Sequence, residues 1–384
     1  MRKPHTLFLG VLFLAFSLIT LYPMWQGAII WNTIEYATEF YDKYERPLDI
    51  LIAFFAFYIL IVYKIKMRSE MIYILLYALF NAISIIINGR SSGYFSIVAI
   101  PLIYLLLSNI KNSYYFNWNK FILIVLLIWI ITPIIDCFFF SDISRQLLFF
   151  REYGGYSFFD AGFSGYAVHK NVYAYIVGLC FLITIFTKLP KYVKYLIWVI
   201  LVGALALSLC KSVIITLVVV VLYYKMINES IGLKLSNRHV ILVIVLFSIA
   251  IACFVSLDFF NDPNRTVLIN GFIDVIKNNF LFGTGMATVV PARFGDDMMP
   301  AHNLILQGLA DRGIIAFMLY CIYIKCFFSN SDKVYRLFLL YMLLNGLFQP
   351  YYTIAIPDYL MMITFLLPMF MSIPVRKIVP QSVR

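Results

Sequence analysis

The feature that most constrains this chain is the recurrence of long apolar runs separated by short polar ones. A run of about 17–25 apolar residues is long enough to cross a bilayer as a helix. Twelve such runs are read here: 6–23, 48–63, 71–88, 92–108, 121–140, 172–187, 193–210, 212–224, 239–257, 313–328, 336–350 and 358–375. Two of them, 212–224 and 336–350, are short, and the turn at Cys210, Lys211 and Ser212 is tight. A soluble domain is about half apolar, whereas this chain is 63% hydrophobic and 13% charged, which excludes a cytosolic globule. The same composition excludes a disordered chain, which lacks aromatic and apolar mass. The expected fold is therefore an all-α polytopic membrane protein with about 12 transmembrane helices, forming one integral membrane domain over 1–384.

The net charge of +11 is better explained by topology than by nucleic acid. Lys and Arg concentrate in cytoplasmic loops of membrane proteins. With the N-terminus placed inside, 19 of the 30 basic residues fall in cytoplasmic segments, opposed only by Glu70, Glu229 and Asp332. The basic residues form short inner clusters, among them Lys64 to Arg68 and Lys188 to Lys194, rather than one basic face. Both termini are thus expected in the cytoplasm, with no nucleic-acid partner. The basic start and apolar stretch at 6–23 resemble a signal peptide, but no small-residue cleavage site follows, so the run is read as a helix. All six cysteines lie in or beside the apolar runs, which leaves no basis for a disulfide framework or a CxxC metal site.

The polar chemistry is expected on the outer side, in segments 24–47, 141–171 and 258–312. The last is the largest outer loop. Within it, residues 265–281 place Leu268, Ile269, Phe272, Ile273, Ile276 and Phe280 at helical spacing, with Asn270, Asp274, Lys277 and Asn278 on another face. That pattern predicts an amphipathic helix lying at the membrane surface. Gly283 and Gly285 are expected to break it. A mobile stretch with Arg293, Asp296 and Asp297 follows, then a short helix beginning near His302 and ending at Gly313. Arg145, Arg151, Lys170, Lys211, Arg265 and Arg293 bring cations towards the outer surface, an arrangement suited to an anionic lipid headgroup such as a diphosphate. Arg offers phosphate a planar fork, and Lys a point charge. No GxxxxGK[ST] stretch for ATP is present.

The stretch from Arg265 to Gly313 resembles the signature of the O-antigen ligase and O-antigen polymerase superfamily. The similarity rests on Arg265 before the amphipathic helix, the break at Gly283 and Gly285, and the run His302, Asn303, Leu306, Gln307 and Gly313. His169, Asn171, Tyr173 and Ala174 look like the family motif that opens the middle spans. The family often carries Ser-Arg-Gly on the tight outer turn; here Cys210, Lys211 and Ser212 keep the charge and lose the guanidinium fork.

The resemblance implies a glycosyltransferase C-like membrane enzyme in the bacterial inner (cytoplasmic) membrane, with its active site on the outer side. The implied donor is an undecaprenyl diphosphate-linked oligosaccharide. The implied acceptor is a lipid-linked repeat unit for a polymerase of O-antigen or capsule, or lipid A core for a ligase. Neither metal nor cofactor is expected. His302 is the expected base, since imidazole is unprotonated near neutral pH, and Arg265 the expected catalytic cation. Lys211, Arg145, Arg151, His169, Asn171, Asn303 and Arg293 are expected to bind the diphosphate, where fixed cations would stabilise the leaving group. A lipid-linked glycan flippase is the rival from another class. Transporters place charged or broken-helix sites near the bilayer midplane and show internal repeats. Neither feature is evident here.

Overall fold

The computed structural model describes residues 69–89, 118–139, 162–163, 165, 170–229, 263–285, 288–291, 298–299, 301, 303–330 and 333–348. Helix accounts for 83% of them. The elements are α1 (Ser69–Ile87), α2 (Trp118–Phe139), α3 (Lys170–Phe186), α4 (Lys191–Ser208), α5 (Lys211–Glu229), α6 (Pro263–Asn278), β1 (Val290–Pro291), β2 (Met298–Met299), α7 (Leu304–Asn330) and α8 (Lys333–Gly346). Seven of the twelve apolar runs and the amphipathic segment thus appear as helices. The runs 6–23, 48–63, 92–108, 239–257 and 358–375 lie outside the described residues. Two of the described helical stretches, Lys191–Ser208 and Leu304–Ile322, are long and apolar enough to cross a membrane. At 1.5 Å per residue, 18 residues span roughly 27 Å, close to the hydrocarbon thickness of a bilayer.

The described helices fall into two compact units, one holding residues 118–210 and the other residues 69–89 and 211–348. In the first unit, α3 packs between α2 and α4. Its core is aromatic. The Tyr173 ring lies 5.1 Å edge-on from Phe163 and 5.7 Å from Trp129, centroid to centroid. Pro133 lies inside α2 and has no N–H to donate within the helix. One turn earlier, the Tyr173 hydroxyl donates to the Ile130 carbonyl at 3.0 Å. Gly165, at φ 54°, lets the chain pass against the Tyr173 ring, where a Cβ would collide. The outward face of α4 carries Leu196, Val199 and Val202, all exposed. In its first turn, Lys194 Nζ donates to the Ile185 carbonyl at 3.0 Å and lies over the Trp198 ring.

In the second unit, α1 packs along α7, α6 covers the first part of α7, and α5 packs on α8. Pro263 opens α6, a position where its missing N–H costs nothing. Leu268 and Phe272 on α6 bury against Val290, Ala301 and Ala310, with Val275, Ile276 and Leu306 around them. The amphipathic helix therefore lays its apolar stripe on protein, where the sequence pattern pointed to lipid. Ile273 and Phe280, expected in that stripe, are exposed. β1 and β2 pair antiparallel, Val290 opposite Met299, a ribbon that apolar patterning did not reveal.

The helix break expected at Gly313 is present: α7 consists of two helical stretches that meet at a kink there. Gly313 has φ 69° and ψ 177°, outside the helical region, so the hydrogen-bond ladder breaks there. The neighbouring chain supplies the missing partners. Ile314 N–H donates to the Phe280 carbonyl at 2.8 Å. The freed carbonyls of Ala310 and Asp311 each accept a backbone N–H at 2.9 Å, from Thr284 and Gly285 respectively. A kink without such partners would strand buried polar groups.

Candidate functional site

The kink in α7 and the turn 279–285 that fills it form the polar centre of the second unit. Gly283 and Gly285 have φ 66° and 102°, a region that L side chains rarely adopt. Any Cβ at Gly283 would strike the Asp311 carbonyl and the Arg312 nitrogen, and one at Gly313 would strike the Leu281 carbonyl. The glycines are thus required by backbone-to-backbone contact between the turn and α7, beyond forming a loop.

The carbonyls that this turn leaves over are taken by side chains. Ser84 on α1 donates to the Phe282 carbonyl. Asn88, just past the end of α1, donates to the Gly283 carbonyl at 3.1 Å. Arg312 Nη1 donates to the Gly285 carbonyl at 2.8 Å. Asn81, Ser84, Asp311 and Gln307 have no exposed surface, and Arg312 keeps only 2%. Arg312 is close enough for its charge to act on Tyr77 of α1 as well as on Asp311. Sequence reading treated Asp311 and Arg312 as charges in an outer loop. Their burial depends on α1, more than 220 residues away in the sequence, and no local signal announces it.

At the start of α7, Asn303 Oδ1 accepts the N–H groups of Ile305 at 2.8 Å and Leu306 at 3.2 Å, an N-cap. Its Nδ2 donates to the Leu347 carbonyl at 3.3 Å, beyond the end of α8. Asn303 was expected at a diphosphate, and both ends of its amide are engaged in this cap and tie. Ala301 N–H donates to Gln307 Oε1 at 2.7 Å. His302 itself lies outside the described residues, and its two neighbours are held by these bonds.

Of the other expected site residues, Arg265 lies in the first turn of α6, with its side chain outside the description. Lys211 is the exposed first residue of α5. Asn171 is in the first turn of α3, where its Oδ1 lies 3.0 Å from the Cys210 thiol. Arg145, Arg151, His169 and Arg293 lie outside the described residues. Asn303 and Lys211 belong to the second unit and Asn171 to the first. Among the described residues no hydrogen bond or ion pair joins Lys211 to Asn303, and no group of three His, Cys, Asp or Glu is placed to hold a metal ion.

No family model matches this chain. No curated protein and no solved structure matches it either. The site is therefore interpreted from its own residues and from the resemblance in the Arg265 to Gly313 run.

Proposed function

We propose that this chain is a multi-pass glycosyltransferase of the bacterial cytoplasmic membrane. It moves a glycan from undecaprenyl diphosphate to an acceptor sugar hydroxyl on the outer face, polymerising O-antigen or capsule repeat units. One observation carries the reading: the described positions Gly283, Gly285, Asn303, Gln307 and Gly313 of the resembling run take part in one set of hydrogen bonds and close backbone contacts. Gly283 and Gly313 make the close backbone contact between the turn and α7, and Gly285 N–H donates to the Asp311 carbonyl. Gln307 and Asn303 hold the residues that flank His302. The glycines are required by close approach or positive φ, while Asn303 supplies a helix cap and Gln307 a buried amide bridge.

The exposed apolar faces support a lipid environment. Leu196, Val199 and Val202 on α4, and Ile86 and Ile87 on α1, face outward, which would be costly in water and favourable in hydrocarbon. In the reaction, the acceptor oxygen attacks the anomeric carbon while the bond from that carbon to the diphosphate oxygen breaks. His302 takes the hydroxyl proton, and the lipid diphosphate leaves with the bonding electrons. Arg265, Lys211, Arg145, Arg151 and Arg293 would stabilise the charge that develops on it. Lys211 suits this task in one further respect. As the first residue of α5 it adds its charge to a helix N-terminus, where backbone N–H groups and the helix dipole already favour anions.

A ligase would use the same chemistry on a different acceptor. Protein in nanodiscs, given an undecaprenyl diphosphate-linked repeat unit and EDTA, tests the reading. A ladder of longer lipid-linked glycans marks a polymerase. Transfer only after lipid A core is added marks a ligase. Absence of transfer to either acceptor, with the glycan that the host makes, overturns the proposal and favours transport.

A further inference from the structure

Proton transfer at His302 and cations at the diphosphate leave one buried group without a task. Asp311 is wholly buried on α7. Its Oδ1 accepts Thr288 N–H at 2.7 Å and Gln307 Nε2 at 3.0 Å. Its Oδ2 has no partner among the described residues.

The consequence lies in Gln307. Its Nε2 carries two hydrogens, one directed to Asp311 Oδ1 and one to the Thr288 carbonyl at 2.9 Å. With both hydrogens committed, the amide has one allowed orientation. Turning it over would set Oε1 against two acceptors and Nε2 against a donor. In the allowed orientation Oε1 faces Ala301 and accepts its N–H at 2.7 Å. Asp311 thereby fixes the acceptor that anchors the backbone one residue before His302. All four groups are buried, where an unmet polar partner costs most.

We infer that Asp311 is a positioning residue: acting through the Gln307 amide, it holds the backbone at Ala301 and so sets how His302 is presented to substrate. The inference rests on the proposed role of His302 as the base. Asp311 needs no contact with substrate, and it acts as an acceptor through Oδ1 alone. An amide at 311 can keep both accepted bonds, with its NH₂ in place of the partnerless Oδ2. A methyl group cannot.

The test is hydrogen–deuterium exchange resolved to the Ala301 amide, in nanodiscs, alongside transfer kinetics for Asp311→Ala, Asp311→Asn and Gln307→Leu. Loss of one net hydrogen bond should speed exchange at Ala301 by roughly tenfold in Asp311→Ala and Gln307→Leu. Misplacing the base should lower kcat by on the order of a hundredfold with KM nearly unchanged. Asp311→Asn should rescue both readouts while lowering the melting temperature, since it removes the negative charge beside Arg312. Wild-type protection at Ala301 in Asp311→Ala and Gln307→Leu overturns the inference. So does an Asp311→Asn variant that protects Ala301 and yet is as slow as Asp311→Ala, because the carboxyl would then act directly. If Asp311→Ala does not fold, Gln307→Leu and Asp311→Asn decide between these outcomes. If the wild type transfers no glycan, the proposed function fails, and the exchange at Ala301 still decides whether Asp311 holds that backbone.

Discussion

The two units of this chain are held together by different physics. Around α3, the core includes Trp129, Phe163 and Tyr173, with the tyrosine hydroxyl donating to a helix carbonyl. Around the kink of α7, the interior holds Ser84, Gln307, Asp311 and Arg312, together with three glycines at positive φ. Apolar packing is non-directional and tolerates exchange of side chains of similar volume. A buried polar network fixes each group by angle and distance, and a member without its partners costs more than it contributed. The first unit is built to be stable. The second ties down Ala301 and Asn303 by side-chain hydrogen bonds.

The comparison breaks first at Gly313. Gly313→Ala adds a Cβ at φ 69° against the Leu281 carbonyl, so strain and collision together should cost more than about 3 kcal/mol. Little folded protein should elute as a single species from size exclusion. Arg312→Met should come next, at about 3 kcal/mol, because it leaves Asp311 buried without its nearby cation. Thermal unfolding in detergent reads this loss. Tyr173→Phe removes one hydrogen bond from the aromatic unit and should cost only about 1 kcal/mol. If it costs as much as Arg312→Met, the contrast between the units fails. The smallest effect, of opposite sign, is Gly203→Ala. A Cβ there meets nothing within 4 Å, and replacing a helical glycine by alanine should raise stability by about 0.5–1 kcal/mol.

This contrast also explains what the sequence made legible. Apolar runs at 71–88, 121–140, 172–187 and 193–210 correspond to α1, α2, α3 and α4 within a few residues, because burial in lipid or in a core needs only composition and length. The period of 265–281 revealed α6, and Gly283 and Gly285 revealed its end. That period could not say what covers the apolar stripe, since Phe272 satisfies a lipid surface and the Ala310 face of α7 equally well. The break at Gly313 was legible because glycine commonly ends helices. The hydrogen bonds that Phe280, Thr284 and Gly285 supply there were not. The burial of Asp311 and Arg312 was not legible, because their partners come from α1 and from the turn, and a one-dimensional pattern does not record such pairings. The expected cations Arg145, Arg151 and Arg293 lie outside the described residues.

The central claim is that a glycan leaves a lipid diphosphate with His302 as the base. The direct test is the rate at which undecaprenyl diphosphate is released from a lipid-linked repeat unit, for wild type and His302→Ala at equal folded protein in nanodiscs containing EDTA. Removal of a general base should slow release by about 10²–10⁴-fold, with the melting temperature unchanged. Equal release by the two proteins, or loss of all wild-type release in EDTA, would contradict the account.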